Sequence, residues 1–409
     1  ACATCSWTFT SASSSRPRAS HASIGSGSAG SGAVGATAGG GCAESASYRA
    51  ARVKSLFNVD SGAEFALSAE LPLEDRAWSI GLVVGPSGSG KSSIGRALFG
   101  PRAMWAPRWP ADAPIVDAIA PGAPFDAVPA ALSAVGLGSV PSWLRPFRVL
   151  SQGEQFRANL ARLVCEAPAR AVVDEFTSVV DRQIARVGAL AFGKAWRRTG
   201  GQCVLLSCHH DVAPWLRPDW TFDTGTGAFR WGCLRRRPPI ELSIEQTDGA
   251  WWPLFEPHHY LKLPRMVGAS YYVGLVDGHP VAHVAVATRQ GMLEARACRL
   301  VVMPEWQGAG VGVRFLNAVC EAWLQGRNRY GLALRSLFHT SHPGLAAALR
   351  RDPRWTQVSA NLVGQSRARS VASLKASAAR KGVKHEGGGY GGHFRAVQGF
   401  RYLGEPPCA

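Results

Sequence analysis

The sequence predicts an α/β fold built as two successive domains, and three observations carry that prediction. Short apolar runs at 80–84, 171–173 and 204–206 each end in a turn rich in glycine, acid or histidine. Helical patterning separates them, which is the alternation of a mainly parallel sheet covered by helices. A basic, proline-containing joint follows at Arg235-Arg236-Arg237-Pro238-Pro239, and beyond it a second set of apolar runs leads to another glycine loop at 307–312. At 409 residues the chain has room for two or three cores.

Residues 1–50 are mostly Ala, Gly and Ser with little periodicity and no apolar segment of signal-peptide type, so they are expected to be a disordered, low-complexity segment. The first domain is expected over 51–232, a linker over 233–240 and the second domain over 241–362. Residues 363–393, with Arg367, Arg369, Lys375, Arg380, Lys381, Lys384 and a glycine cluster, read as a flexible basic insertion. Residues 394–409 read as a closing strand of the second domain and a tail. No internal repeat is present. The chain carries 45 basic and 28 acidic residues, a net +17, which suits a polyanionic partner such as nucleic acid. No apolar run reaches the roughly 18 residues of a membrane span. Ten cysteines are spread along the chain, and a reducing cytoplasmic setting is the expectation.

The first domain carries a phosphate-binding loop. Gly85-Pro86-Ser87-Gly88-Ser89-Gly90-Lys91-Ser92 follows the apolar run 80–84. Glycines there let backbone N–H groups converge on phosphate oxygens, and Lys91 offers a point charge to the β- and γ-phosphates of ATP. Ser92, with Ser93 next to it, opens a helix whose positive dipole end faces the anion, and its hydroxyl suits Mg2+. Asp174, after 171–173, is a second Mg2+ ligand by type, and Glu175 beside it is placed to polarise an attacking water.

These motifs resemble those of the ABC ATPases. Leu150-Ser151-Gln152-Gly153-Glu154 is similar to the family's signature motif, with Gln152 and Glu154 as variants. Ser178-Val179-Val180-Asp181 is similar to its D-loop, and Ser207-Cys208-His209-His210-Asp211 to its switch-histidine region, with His209 favoured over His210. The resemblance implies ATP and Mg2+ as ligands, with Lys91, Glu175 and His209 catalytic. It also implies a head-to-tail homodimer in which Ser151, Gly153 and Asp181 act on the nucleotide held by the other protomer. Phe57 is a candidate for stacking on adenine. Two departures stand out: only 58 residues separate Ser92 from Ser151, and none of them is a glutamine. The family's Q-loop residue, which couples to a membrane partner, is therefore missing, which argues against a transporter subunit.

The second domain resembles the GNAT acetyltransferases. Runs at 273–276 and 281–287 flank Asp277-Gly278, the pattern of a hairpin. A strand at 298–303, the loop Gln307-Gly308-Ala309-Gly310-Val311-Gly312 and an apolar-periodic helix over 311–324 follow. The resemblance implies that the loop binds the pyrophosphate of acetyl-CoA, that the backbone of Leu300, Val301 and Val302 holds its pantetheine, and that an amine is the acyl acceptor. Ser341 or His342 would face the CoA sulfur. His258 and His259 fall where the family binds substrate; adjacent residues on a helix point apart, so at most one enters the site. The sequence leaves the acid and base of acetyl transfer open. The expected protein is a bifunctional ATPase and N-acetyltransferase; the alternatives are an ATP-dependent module binding nucleic acid or protein with an idle second domain, and a transport ATPase.

Overall fold

A computed structural model describes residues 7–9, 34–41, 47–57, 64–232, 239–261, 263–288, 294–361 and 396–404. The expected basic insertion at 363–393, most of the 233–240 linker and the side chain of Phe57 lie outside the described residues. The chain forms two compact units, each of which draws on separate stretches of sequence. One comprises 13–111 and 151–238; the other comprises 1–12, 112–150 and 239–409.

The first unit is built on five strands in the order β5-β6-β4-β7-β8. They are β4 (Ile80–Val84), β5 (Arg170–Val173), β6 (Gln202–Ser207), β7 (Trp220–Asp223) and β8 (Ala228–Trp231). The first four positions run parallel and β8 returns antiparallel to β7. All five residues of β4 are buried, as an apolar run in a sheet covered on both faces must be. The long helices are α2 (Lys91–Phe99), α6 (Gln152–Glu166) and α7 (Arg182–Trp196), with a short α8 (Ala213–Leu216) and α1 (Tyr48–Phe57). Val83, Ile94, Val172, Val204, Leu206, Trp220 and Phe222 form its core. Each such side chain contributes roughly 1.5–3 kcal/mol by leaving water. Separately, β2 (Val34–Gly41) pairs with β3 (Glu64–Leu71).

The second unit holds eight strands in the order β1-β9-β10-β11-β12-β13-β15-β14. They are β1 (Trp7–Phe9), β9 (Leu242–Thr247), β10 (Ser270–Val276), β11 (His279–Thr288), β12 (Ala295–Val302), β13 (Ser336–Thr340), β14 (Trp355–Asn361) and β15 (Val397–Tyr402). Every ladder is antiparallel except β12 with β13. The hairpin read at 273–287 is β10–β11, turning at Asp277-Gly278, and the strand within 394–409 is β15, inserted between β13 and β14. Helix α10 (Val311–Leu324) buries Phe315, Leu316 and Trp323. The Trp323 indole donates to Tyr272 Oη at 2.9 Å, fixing the helix on the sheet. Helices α9 (Trp252–Phe255) and α11 (Pro343–Arg351) complete this part. Residues 112–150 add α3 (Ile115–Ala118), α4 (Ala127–Ala134) and α5 (Val140–Trp143).

Two expectations meet a different arrangement. Residues 112–150, read as part of one domain over 51–232, group with the second unit. Apolar periodicity marks a face that is buried and carries no information on what buries it. The first 50 residues, read as disordered, contain β1, β2 and the start of α1. A strand ladder is made by main-chain groups, so a run of small residues without periodicity can still supply one.

Candidate functional site

The strands β4, β5 and β6 run parallel, so the loops that leave their C-terminal ends lie along one edge of the sheet. After β4 comes the glycine loop. Gly90, at φ 80, caps the start of α2. Gly85 has φ 152, and a Cβ there would stand closer than 3.0 Å to the side chains of Thr224 and Ser89, so this backbone approach requires glycine. Thr224 and Ser89 hold the far side of the loop by an Oγ1···Oγ contact of 2.6 Å. Lys91 Nζ donates to the carbonyls of Gly85 at 2.9 Å and Pro86 at 2.6 Å, so its ammonium is folded over the loop. Ser92 and Ser93 are half-buried in the first turn of α2; Pro86, Ser87 and Gly88 are exposed. A glycine cradle, an ammonium and a helix start are the chemistry a polyphosphate requires.

After β5, Asp174 Oδ1 accepts from the Glu175 N–H at 2.9 Å. Glu175 sits at φ 50 and is exposed, a left-handed backbone that a non-glycine residue adopts at a cost. The Phe176 N–H donates to the Leu206 carbonyl at 2.8 Å, which ties this turn to β6. Ser92 and Asp174 are hard oxygen donors that fit Mg2+.

After β6, the His209 N–H donates to Ser207 Oγ at 3.1 Å and its ring lies beside Cys208 Sγ. Burial lowers the His209 pKa, the Arg182 charge lowers it further, and Asp211 opposes both. His210 is exposed. Asp211, unassigned from sequence, is bound by Arg182 and by Arg186 Nε at 3.0 Å. Burial raises the Asp211 carboxyl, but the bonds and charges of the two arginines outweigh that and hold it below its ordinary value.

Ser151 caps α6 in a reciprocal box with Glu154: its N–H donates to Glu154 Oε2 at 2.9 Å and its Oγ accepts from the Glu154 N–H at 3.4 Å. Ser151 remains exposed and Gly153 is half-buried. Asp181, read as a nucleotide contact, caps α7: its Oδ1 accepts from the N–H groups of Gln183 and Ile184, each at 2.9 Å. In the stretch where a Q-loop glutamine is missing, two tryptophans tie the chain to α6. Trp105 Nε1 donates to Glu166 Oε2 at 3.0 Å and Trp109 Nε1 to Asn159 Oδ1 at 2.8 Å. The Arg162 guanidinium lies 4.9 Å from the Trp109 ring centre. The spacings 105/109 and 162/166 were the sequence signal for this set.

In the second unit, β12 pairs with β13 only from 295 to 297, while its other edge stays paired with β11 as far as Val302. Among the described residues, a wedge with one unpaired strand edge thus opens at 298–302, along Leu300, Val301 and Val302. The 307–312 loop leaves the end of β12, with Gly308 at φ 88 and Gly310 at φ 84 capping α10. Gly310 is exposed, Ala309 and Val311 are buried, and a Cβ on Gly312 would press on Val302.

The expected substrate residues separate. His258 is exposed; His259 is buried, with Nδ1 accepting from the Leu261 N–H at 3.1 Å. His342 caps α11 and does not present a free ring to the wedge: Nδ1 accepts from the Leu345 N–H at 3.2 Å and Nε2 bonds the Gly138 carbonyl at 3.2 Å. Ser341 beside it is half-buried. Sequence reasoning missed His283, which is fully buried on β11 opposite Val301. The rings of Trp252, Phe255 and Tyr271 lie 5.4, 5.3 and 6.0 Å from its own. Its Nε2 has no hydrogen-bond partner among the described residues. Burial pulls its pKa down to about 4, against a bond to the Arg299 carbonyl.

The first unit is thus a P-loop nucleotide-binding fold, with the glycine loop, the Asp174-Glu175 turn and His209 on one sheet edge. Over 163 aligned positions the chain is 33% identical to the cytochrome c biogenesis ATP-binding export protein CcmA of Rhodospirillum rubrum, covering 32% of this chain and 68% of that protein. The chain belongs to the ATP-binding cassette ATPases. Two solved structures are also similar: a dimeric, post-hydrolysis ATP-binding cassette bound to ADP and Pi (13% identity, 42% of this chain, 93% of that one, TM-score 0.34) and cbiO1 of Clostridium perfringens, part of the transporter complex cbiONQ (14%, 42%, 80%, 0.31). No family model matches the chain. Among the described residues, no helix is long and apolar enough to cross a membrane.

Proposed function

We propose that this protein joins an ATP-hydrolysing cassette to an acyl-CoA N-acyltransferase. The observation that supports the first half is the shared sheet edge carrying Lys91, Ser92, Asp174, Glu175 and His209. Mg2+ held by Ser92 and Asp174 would neutralise phosphate charge. Glu175 would orient the attacking water and His209 would contact the γ-phosphate. The second half is supported by the strand wedge at 298–302 beside a glycine loop that opens α10. Acetyl-CoA would lie with its pyrophosphate on the loop amides. A neutral amine would attack the thioester: the C–N bond forms, the C–S bond breaks, and the amine proton leaves to a base.

Two variants test the halves separately. Lys91→Ala should abolish phosphate release from ATP. Gly310→Glu should lower acetyl-CoA affinity at least about ten-fold in calorimetry, by placing a carboxylate where the pyrophosphate docks, and should leave ATPase activity intact. Gly310→Ala, which shares only the backbone strain, should retain most of that affinity. Unchanged acetyl-CoA binding in Gly310→Glu would remove the second site.

A transport role is the second reading. The relative from Rhodospirillum rubrum is an export protein, and Phe125, Leu144 and Val149 expose 78, 67 and 55% of their surface on 112–150. Co-purification with an integral membrane protein would favour it. The +17 charge supports an acceptor on nucleic acid, for which binding must weaken steeply between roughly 50 and 200 mM salt.

A further inference from the structure

The 307–312 loop is gripped by a short turn that comes from far away in the sequence. Gln307 Nε2 donates to the Val302 carbonyl at 3.0 Å, and its Oε1 accepts from the Gly138 N–H at 2.9 Å. Both ends of this amide are therefore bonded, so Gln307 fixes the loop and its side chain is not free for a ligand. His342 bonds the other polar group of the same residue. Because His342 Nδ1 accepts from Leu345, its Nε2 carries the proton in the neutral ring and donates to the Gly138 carbonyl. Burial keeps this imidazole neutral by lowering its pKa, against the raising effect of the Gly138 bond.

The turn itself is built for close approach. Gly136 has φ 87, and a Cβ there would stand closer than 3.0 Å to the Gln307 carbonyl, so alanine would be both strained and obstructed. Its neighbour Leu137 accepts from the Trp143 indole at 2.7 Å, and the same ring sits edge-on to His342 at 5.7 Å. A Cβ on Gly344 would likewise meet Ser133 of α4. The main chain of Gly136 lies against that of Gln307, and both polar groups of Gly138 are bonded.

The chain that makes this grip runs on to the signature motif. Residues 112–150 leave the first unit after Ala111 and return to it at Ser151, which caps α6. A displacement of Ser151 on nucleotide binding would act on the same stretch of chain that carries the turn holding Gln307. We propose that the 136–138 turn is a positioning strap for the 307–312 loop, and that it makes acyl-CoA affinity depend on the nucleotide bound by the cassette. The proposal rests on the acyltransferase reading of the second unit. The loop amides bind phosphate only when aligned, and Gln307, which sets their direction, has one anchor on the strap. Coupling between sites is reciprocal, so acyl-CoA must alter ATP affinity by the same factor.

Calorimetry on the full chain tests this with acetyl-CoA, in the presence and absence of a non-hydrolysable ATP analogue and Mg2+. The expected result is a change in acetyl-CoA Kd of about five-fold or more, with an equal change in analogue Kd when acetyl-CoA is saturating. Gly136→Ala should bind both ligands with the ratio collapsed to one. Trp143→Phe, which keeps an aromatic ring but loses the bond to Leu137, should reduce the ratio part-way and serves if Gly136→Ala fails to fold. Acetyl-CoA binding that ignores the analogue in the unaltered chain would overturn the coupling alone. No acetyl-CoA binding under any condition would overturn the acyltransferase reading and this proposal with it.

Discussion

Glu175 holds an unfavourable left-handed backbone next to a carboxylate that accepts its own N–H. That geometry keeps the side chain out in solvent at the strand end, where a nucleophilic water would be met. Glu175→Gln is shape-conserving but cannot polarise water as a carboxylate does. It should keep ATP binding and slow phosphate release by about 10²–10⁴-fold, the usual worth of a general base. Single-turnover assays beside equilibrium binding check this. His283 leads to a different expectation. Its pKa is about 4 in the fold against 6.5 unperturbed. The folded form therefore binds fewer protons than the unfolded one. Its contribution is fully present above about pH 6.5 and is lost as pH falls toward 4, to a total of about 3 kcal/mol. His283→Phe should flatten the fall of melting temperature between pH 6.5 and 5, relative to the parent. An equal slope in both would show that the ring is solvated in solution.

At the scale of elements, two of the three long helices of the first unit start on residues that resemble the signature motif and the D-loop. Ser151 opens α6 and Asp181 opens α7. Asp181 makes two bonds to its own helix, so Asp181→Ala should cost about 1 kcal/mol of stability, and Asp181→Asn much less. Thermal melts decide between this and a direct nucleotide role, which would show as weaker ATP binding in Asp181→Asn with no loss of stability. The glycine loop and the hairpin were legible in advance because a glycine loop after an apolar run and two apolar runs flanking an Asp-Gly turn each have a local physical cause. The loop partners were not legible. Gln307 and His342 look like ligand-facing polar residues in sequence, yet their partner Gly138 lies 169 and 204 positions away. His283 likewise reads as one polar interruption in an apolar strand, and nothing local announces the three aromatic rings around it.

For the whole molecule, the family's head-to-tail arrangement predicts that ATP binding assembles a dimer. Glu175→Gln with ATP and Mg2+ should elute from size exclusion at twice the monomer mass, and should return to monomer when Mg2+ is chelated. A strictly monomeric profile under both conditions would remove the sandwich. The sequence order of the motifs gave two consecutive domains, whereas contacts give two units with interleaved stretches. Hydrophobic pattern is a local quantity and cannot report such interleaving, because α4 is equally apolar whichever neighbour covers it.

The position of β15 bears on how the chain is made. Among the described residues β14 has its ladder with β15 alone, and β15 follows it only after the 35 residues from 362 to 396. A ribosome adding on the order of 5–20 residues per second leaves β13 and β14 with open edges for seconds before the last strand can slot between them. Unpaired edges of this kind recruit other chains. During synthesis, the hazard for this protein therefore falls between the emergence of β14 and that of β15, and a chain cut short after residue 361 should be captured by chaperones or aggregate even though nearly every motif residue has already emerged.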